Sequence, residues 1–336
     1  MNTISQNFRL GVIIAAVTVL FTLTGIAQGP WEGQVIVTDT DVDAPLAPMV
    51  GGETMERSIA VDKDVNISIC VTQGNLKING WNRSEVRVYV EDGAKFAFKV
   101  MEKNSKNSPV WLMLIGAEPV KGKSAECIWG EDIEIDVPVN ATVNIKGQET
   151  KTIIDTIRKA KVQTIGGDIT IHSVSAGVMA STYEGDVTVE SSTGTFNLES
   201  TTGNILVFEA GPGDFGDTLR AKTNSGLISL QQVKHRQIEA GSISGSIAYN
   251  GEILNGGTYS LSTSNGSIRI ALPPVTACNV NAVYGFGSFN SELPFKVITE
   301  NIQEGPVKRV SGSLGKGGDA TLKLTTNNGS IAIKKL

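Results

Sequence analysis

Asp168 and Asp186 stand 18 residues apart, each directly after a glycine, and are the pair in this 336-residue chain whose type and spacing most resemble a catalytic arrangement. Glycoside hydrolysis needs two carboxylates facing one cleft, roughly 5 to 9.5 Å apart. On adjacent stacked strands the two aspartates would lie about 4.8 Å apart along the hydrogen-bond direction. The residue after a turn glycine is also where Asp commonly accepts hydrogen bonds from turn backbone, and the sequence is read that way here. A calcium-binding β-roll would need Asp at every turn of a GGxGxDxUx repeat. The residues in question are Asp168, Asp186, Asn204, Leu227, Ser246, Ser267 and Ser330, and two carboxylates do not line a calcium ladder. His172 and His235 lack the flanking Cys or carboxylate spacing of a zinc site and are expected to be solvated turn residues. The "GPGDFGD" stretch at 211–217 lacks the Lys and Ser/Thr of a phosphate loop and reads as a wide turn. No catalytic residue, metal ligand or cofactor is expected.

Cysteine chemistry is equally limited. Cys70, Cys127 and Cys278 include no CxxC pair, and an odd number leaves at least one thiol free or paired between molecules. A bridge between Cys70, which points outward by its register, and Cys127 stays open at this point. Cys278 shares parity with the inward Ile268 and Ile270 and reads as a small core residue.

The elements that must position these residues are written as a repeat. Around Gly203 the positions seven and five before are Phe196 and Leu198, and those two and four after are Ile205 and Val207. The same four offsets are apolar around Gly74, Gly167, Gly185, Gly226, Gly245, Gly266 and Gly329. Alternation with period two on both sides of a glycine means two short strands, each with one buried face. The glycine supplies the positive φ or the close backbone approach between them. Three residues before it stands Ser or Thr in seven copies, Thr164, Thr182, Ser200, Thr223, Ser242, Thr263 and Thr326, with Val71 the exception. Such hydroxyls can bond turn backbone where the strand leaves the core. From Gly167 to Gly266 the anchors lie 18 to 23 residues apart, a spacing at which self-similarity signals a stacked array whose units bury their faces only against neighbours. The expected fold class is all-β, a single-chain β-solenoid.

Composition agrees. Glycine is abundant (37 residues), aromatics make up 6% and charged residues 19%, below the usual quarter. A net charge of −5 leaves no electrostatic footprint for nucleic acid. Leu10 to Ile26 is apolar or small and Arg9 is the one charge before Glu32, which reads as an export signal over residues 1–27 cleaved after Ala27. The alternative is an uncleaved anchor, the chain then touching a membrane through that segment alone. Residues 28–55 read as a linker or leading edge and 56–336 as the solenoid domain, with irregular insertions near 91–132 and 272–317. The stretch 150–160 fits a short helix or a strand, and strand is preferred because Ala160 and Val162 already belong to the Gly167 unit.

The opening "GNLKINGWNRSEVRV", the "IEIDVPVNATVNI" strand, the run "GGDITI", "GDVTV", "GNILV", "NGSIRIALP" and the closing "GDATLKLTTNNGSIAI" together resemble the bacterial putative-adhesin domain family of unknown function. The resemblance covers nearly all of the chain after the linker. It implies a right-handed β-helix on an exported or membrane-tethered protein, and it brings no catalytic residues.

The function expected from the sequence is a non-catalytic, exported cell-envelope binding or scaffold module. A self-assembling structural solenoid is the alternative, and a carbohydrate-active β-helix a more distant one, since Trp31, Trp81, Trp111 and Trp129 all lie upstream of the repeats. The partner would be an envelope or surface ligand, protein or polysaccharide, or another copy of the chain. Its candidate binding face is the outward row three residues after each anchor, Thr170, Thr188, Leu206, Ser229 and Ala248, continued by Arg269 and Ala332. By alternation this row faces solvent.

Overall fold

The computed structural model describes residues 54–93, 95–101, 111–116, 127–214, 216–301 and 307–336. The expected export segment and nearly all of the leading edge lie outside them. The described residues contain no helix and form 25 strands joined in one sheet. Alternation is the cause: strand after strand carries the burial pattern buried, half-buried, buried that period two dictates.

The first seven strands are β1 (Met55–Ala60), β2 (Asn66–Trp81), β3 (Glu85–Glu91), β4 (Phe96–Met101), β5 (Trp111–Gly116), β6 (Ile128–Pro138) and β7 (Thr142–Asp155). β2 runs unbroken through Gly74, which therefore does not separate two strands as the repeat led one to expect. Its irregularity is absorbed instead by register shifts against β6 between Val71 and Asn75. β7 is likewise continuous, and residues 150–155 are strand.

The repeats follow as pairs: β8 (Lys159–Gly166) with β9 (Ile169–His172), β10 (Val178–Glu184) with β11 (Val187–Glu190), β12 (Phe196–Thr202) with β13 (Ile205–Phe208), β14 (Thr218–Ser225) with β15 (Ile228–Gln231), β16 (Gln237–Ser244) with β17 (Ile247–Asn250), and β18 (Thr258–Asn265) with β19 (Ile268–Leu272). The remainder is β20 (Cys278–Phe286), β21 (Phe289–Ser291), β22 (Phe295–Asn301), β23 (Lys308–Leu314), β24 (Thr321–Asn328) and β25 (Ile331–Lys335).

Two parallel ladders run through these layers. One joins the first part of β7 to β8, β10, β12, β14, β16, β18, β24 and β20. The other joins the second part of β7 to β9, β11, β13, β15, β17, β19, β25 and β21. Register is kept residue for residue, so Ala160, Val178, Phe196, Leu219, Ile238, Tyr259, Leu322 and Val280 form one buried row. A one-residue slip would expose every such row. The inward rows of both ladders join one hydrophobic cluster, and each buried Val, Leu or Ile stabilises by about 1.5–3 kcal/mol.

Residues 272–317 are not simply an irregular insertion. β20 and β21 repeat the two-strand unit about Gly287 and pair with β24 and β25, so the later repeat lies between β18/β19 and β20/β21. The unit escapes a search for four apolar offsets because the fourth is Ser291. Antiparallel strands cover both ends of the ladders: β4 on β5 and β1 on β3 on β6 at one, β22 on β23 on β20 at the other.

A second stack of turns has no glycine signature. Thr156, Ser173, Ser191, Glu209 and Gln232 close successive layers at φ of 55°, 55°, 47°, 51° and 53°. Their N–H groups bond the carbonyls of His172, Glu190, Phe208, Gln231 and Asn250. For Thr156, β-branched and left-handed, glycine would relieve about 1–2 kcal/mol of backbone strain against about 0.5–1 kcal/mol of lost chain entropy. Thr156→Gly is therefore expected to raise the melting temperature slightly. A lower melting temperature would mean that its hydroxyl bond to Asp155 Oδ1 (2.7 Å) outweighs the strain.

Candidate functional site

The outward row is brought into line by the second ladder. Thr170, Thr188, Leu206, Ser229, Ala248, Arg269 and Ala332 are successive Cα partners, extended by Ile153 before and Asn290 after. Thr170, Thr188, Leu206, Ala248 and Ala332 are half-buried among their neighbours and Arg269 is exposed. Ser229 departs from the expectation of a solvent-facing row: it is 6% exposed, and Gln231 on the same strand donates to its Oγ at 3.2 Å. The strip offers methyls, small hydroxyls and one guanidinium. It can make contacts and hydrogen bonds, but it holds no acid–base pair.

The turn residues are tied into the backbone. Asp168 Oδ1 accepts the Asp186 N–H at 2.9 Å, Asp186 Oδ1 accepts the Asn204 N–H at 2.7 Å, and Asn204 Oδ1 accepts the Leu227 N–H at 2.9 Å. This is the turn role read for the two aspartates, now seen as a ladder from one layer to the next. Beside it runs a second one. Ser200 Oγ donates to the Gly185 carbonyl at 2.9 Å, Thr223 to Gly203 at 2.9 Å, Ser242 to Gly226 at 3.2 Å, Thr263 to Gly245 at 2.8 Å and Thr326 to Gly266 at 2.9 Å. The Ser/Thr three residues before each anchor thus satisfies a carbonyl of the layer behind. Thr164 departs from the series, since its buried hydroxyl has no partner among the described residues.

The outer face of the first ladder carries an open groove of ≈ 750 Å³ lined by Arg220, Lys222, Asn224, Glu239 and Ser260, with Gly241 among its lining residues. Its two cations, Arg220 and Lys222, share the one carboxylate of Glu239. Lys222 at 2.9 Å holds the Glu239 carboxyl below its ordinary value, partly opposed by burial, and Arg220 at 2.8 Å adds to the effect.

One of the two histidines is not where the sequence put it. His235 is not a solvated turn residue; it is fully buried against Phe196, with ring centroids 5.1 Å apart. Parity could have signalled this, since it falls two residues after Val233, itself buried. Cys70 and Cys127 form a disulfide, while Cys278 is free and buried. His172 pairs with Glu190 at 3.1 Å on the outside.

The fold and this site define an all-β protein built of one 25-stranded sheet. No family model matches the chain, and no curated protein matches it. Among solved structures it is similar to a putative adhesin from Bacteroides fragilis NCTC 9343, at 14% identity and a TM-score of 0.37 over 84% of this chain and 97% of that one. It is also similar to a putative cell adhesion protein from Clostridium sporogenes ATCC 15579, at 11% identity and a TM-score of 0.28 over 85% of this chain and 100% of that one. Such values leave the function to be argued from the chain itself.

Proposed function

We propose that the chain is an exported β-solenoid, right-handed as the family resemblance implies, that serves as a non-catalytic binding module of the cell envelope, adhesin-like in role. The carrying observation is the outward row, held in register through seven layers from Thr170 to Ala332. Small side chains on a rigid ladder lose little entropy on contact, and equivalent positions recur about every 4.8 Å, which suits an extended repetitive partner such as a polysaccharide or a strand-like protein surface. The Cys70–Cys127 disulfide fits an oxidising compartment. Backbone N–H groups held by Asp168 and Asp186 favour a structural role for both carboxylates over a hydrolytic one.

The competing scaffold reading, end-to-end polymerisation, requires open parallel edges. The antiparallel strands at both ends of the ladders count against it, because such coverage blunts edge pairing. The test is the pair Thr170→Lys with Thr188→Lys; Ser229 is unsuitable because it is buried. Both threonines are half-buried on the outer face, so each substitution should cost no more than about 1 kcal/mol of stability, while attachment of the purified protein to bacterial envelope sheets falls at least about tenfold, worth about 1.4 kcal/mol. Unchanged attachment would reject this face. A shift in sedimentation of the parent, abolished in the variant, would favour self-association instead.

A further inference from the structure

Successive layers are joined by corners of five residues at 173–177, 191–195 and 232–236 and of seven at 251–257, while nine, 209–217, separate β13 from β14, residue 215 among them lying outside the described residues. It closes on itself through the Gly213 N–H and the Gly216 carbonyl at 3.2 Å. Across this drawn-out corner, from the layer after it to the layer before it, reaches His235. Its Nε2 lies 2.7 Å from the Gly194 carbonyl oxygen, 41 residues earlier, and β12, β14 and β16 are the three adjacent strands concerned. A carbonyl only accepts, so Nε2 carries the proton and Nδ1 is the bare nitrogen. Nδ1 is buried and has no hydrogen-bond partner among the described residues.

The surroundings determine what a second proton would do. Phe196 covers the ring and offers no charge. Lys234 and Arg236 flank it in sequence and are both exposed. Asp217 at the end of the long corner favours the imidazolium, but it is already held by the Arg236 N–H at 2.8 Å and guanidinium at 3.0 Å. Burial dominates, and it holds the imidazole below its ordinary value against the opposing pull of Gly194 and Asp217.

We propose that His235 is a pH-operated latch on the 209–217 corner: the neutral ring ties the layers on either side together through Gly194, and protonation of Nδ1 releases it. A histidine buried as the neutral base binds its proton more readily when open, so closure is complete above the open-state value near 6.5 and is lost as pH falls below it.

Amide exchange of the 209–217 segment, corrected for the intrinsic rate and referred to the 178–190 segment, reads the latch. Between pH 7.5 and 5 the opening equilibrium should rise by up to about thirty-fold, as one unit of pH below 6.5 is worth tenfold. His235→Gln keeps an N–H for Gly194 but cannot titrate there, and its corner should exchange independently of pH. An equal pH response in both proteins, or none in the parent, would overturn the latch. Should the variant not fold, the ring resonances of the parent decide. Titration of His235 near 6.5 with the corner still protected refutes the proposal, and titration in step with loss of protection supports it.

Discussion

Gly203→Val should destabilise the protein by about 3–5 kcal/mol, combining backbone strain with overpacking, and lower its melting temperature by about 10 °C. Gly203 sits at φ 153°, and a Cβ there would lie 2.6 Å from the Gly185 carbonyl carbon and 3.0 Å from Ser200 Oγ. The methyls would press on the bond by which Ser200 satisfies the Gly185 carbonyl at 2.9 Å. They would also push apart the layers that Gly203 joins through its own N–H to Ser225 and its carbonyl from Thr223. Thr202→Val, one residue earlier and exposed, keeps all of these bonds and should cost little. Calorimetry on the two variants checks the contrast. If both melt like the parent, the glycine stack does not set the distance between layers.

This prediction could be framed from the sequence, because the glycine, its four apolar offsets and the hydroxyl three residues before it recur with fixed parity. The inward rows followed from parity for the same reason. What stayed hidden has physical causes. The left-handed residues Ser173, Ser191 and Glu209 leave no compositional mark, since nothing in a Ser or Glu announces positive φ. The Gly287 unit was obscured by Ser291, and its place beyond β24/β25 depends on a pairing between strands far apart in the chain. The candidate face was legible as a row but not in its detail, because parity does not reveal that Ser229 is buried or that Gln231 donates to its Oγ. Burial of His235 was marked only by its parity with Val233, while its contact with Gly194, 41 residues earlier, is one that no local pattern around His235 encodes.

Severing the Cys70–Cys127 bridge is expected to cost about 4 kcal/mol, the loop-closure entropy of a link spanning some tens of residues; the two cysteines are 57 residues apart. The link matters for where it sits. Cys70 lies in β2, next to Val71, whose partner Ile128 opens β6 beside Cys127. β2 and β6 shift register twice immediately beyond that point, so the bridge fixes the strands where ladder bonding alone is least regular. It also closes the excursion carrying β4 and β5 onto β2, which β5 extends in parallel. Cys70→Ser with Cys127→Ser should therefore lower the denaturant midpoint substantially and expose β4 and β5 to proteolysis before the glycine-anchored layers. A single Cys70→Ser would confuse the reading by freeing a second thiol, so the double variant is the proper comparison. Thiol counting tests the premise separately. Cys278 is buried, with its thiol pushed up to about 11 by desolvation, so the native protein should show no fast-reacting thiol. One should appear on denaturation and three only after reduction. Three without a reductant would show that the bridge does not form, and with it would fall the argument from redox compartment to export.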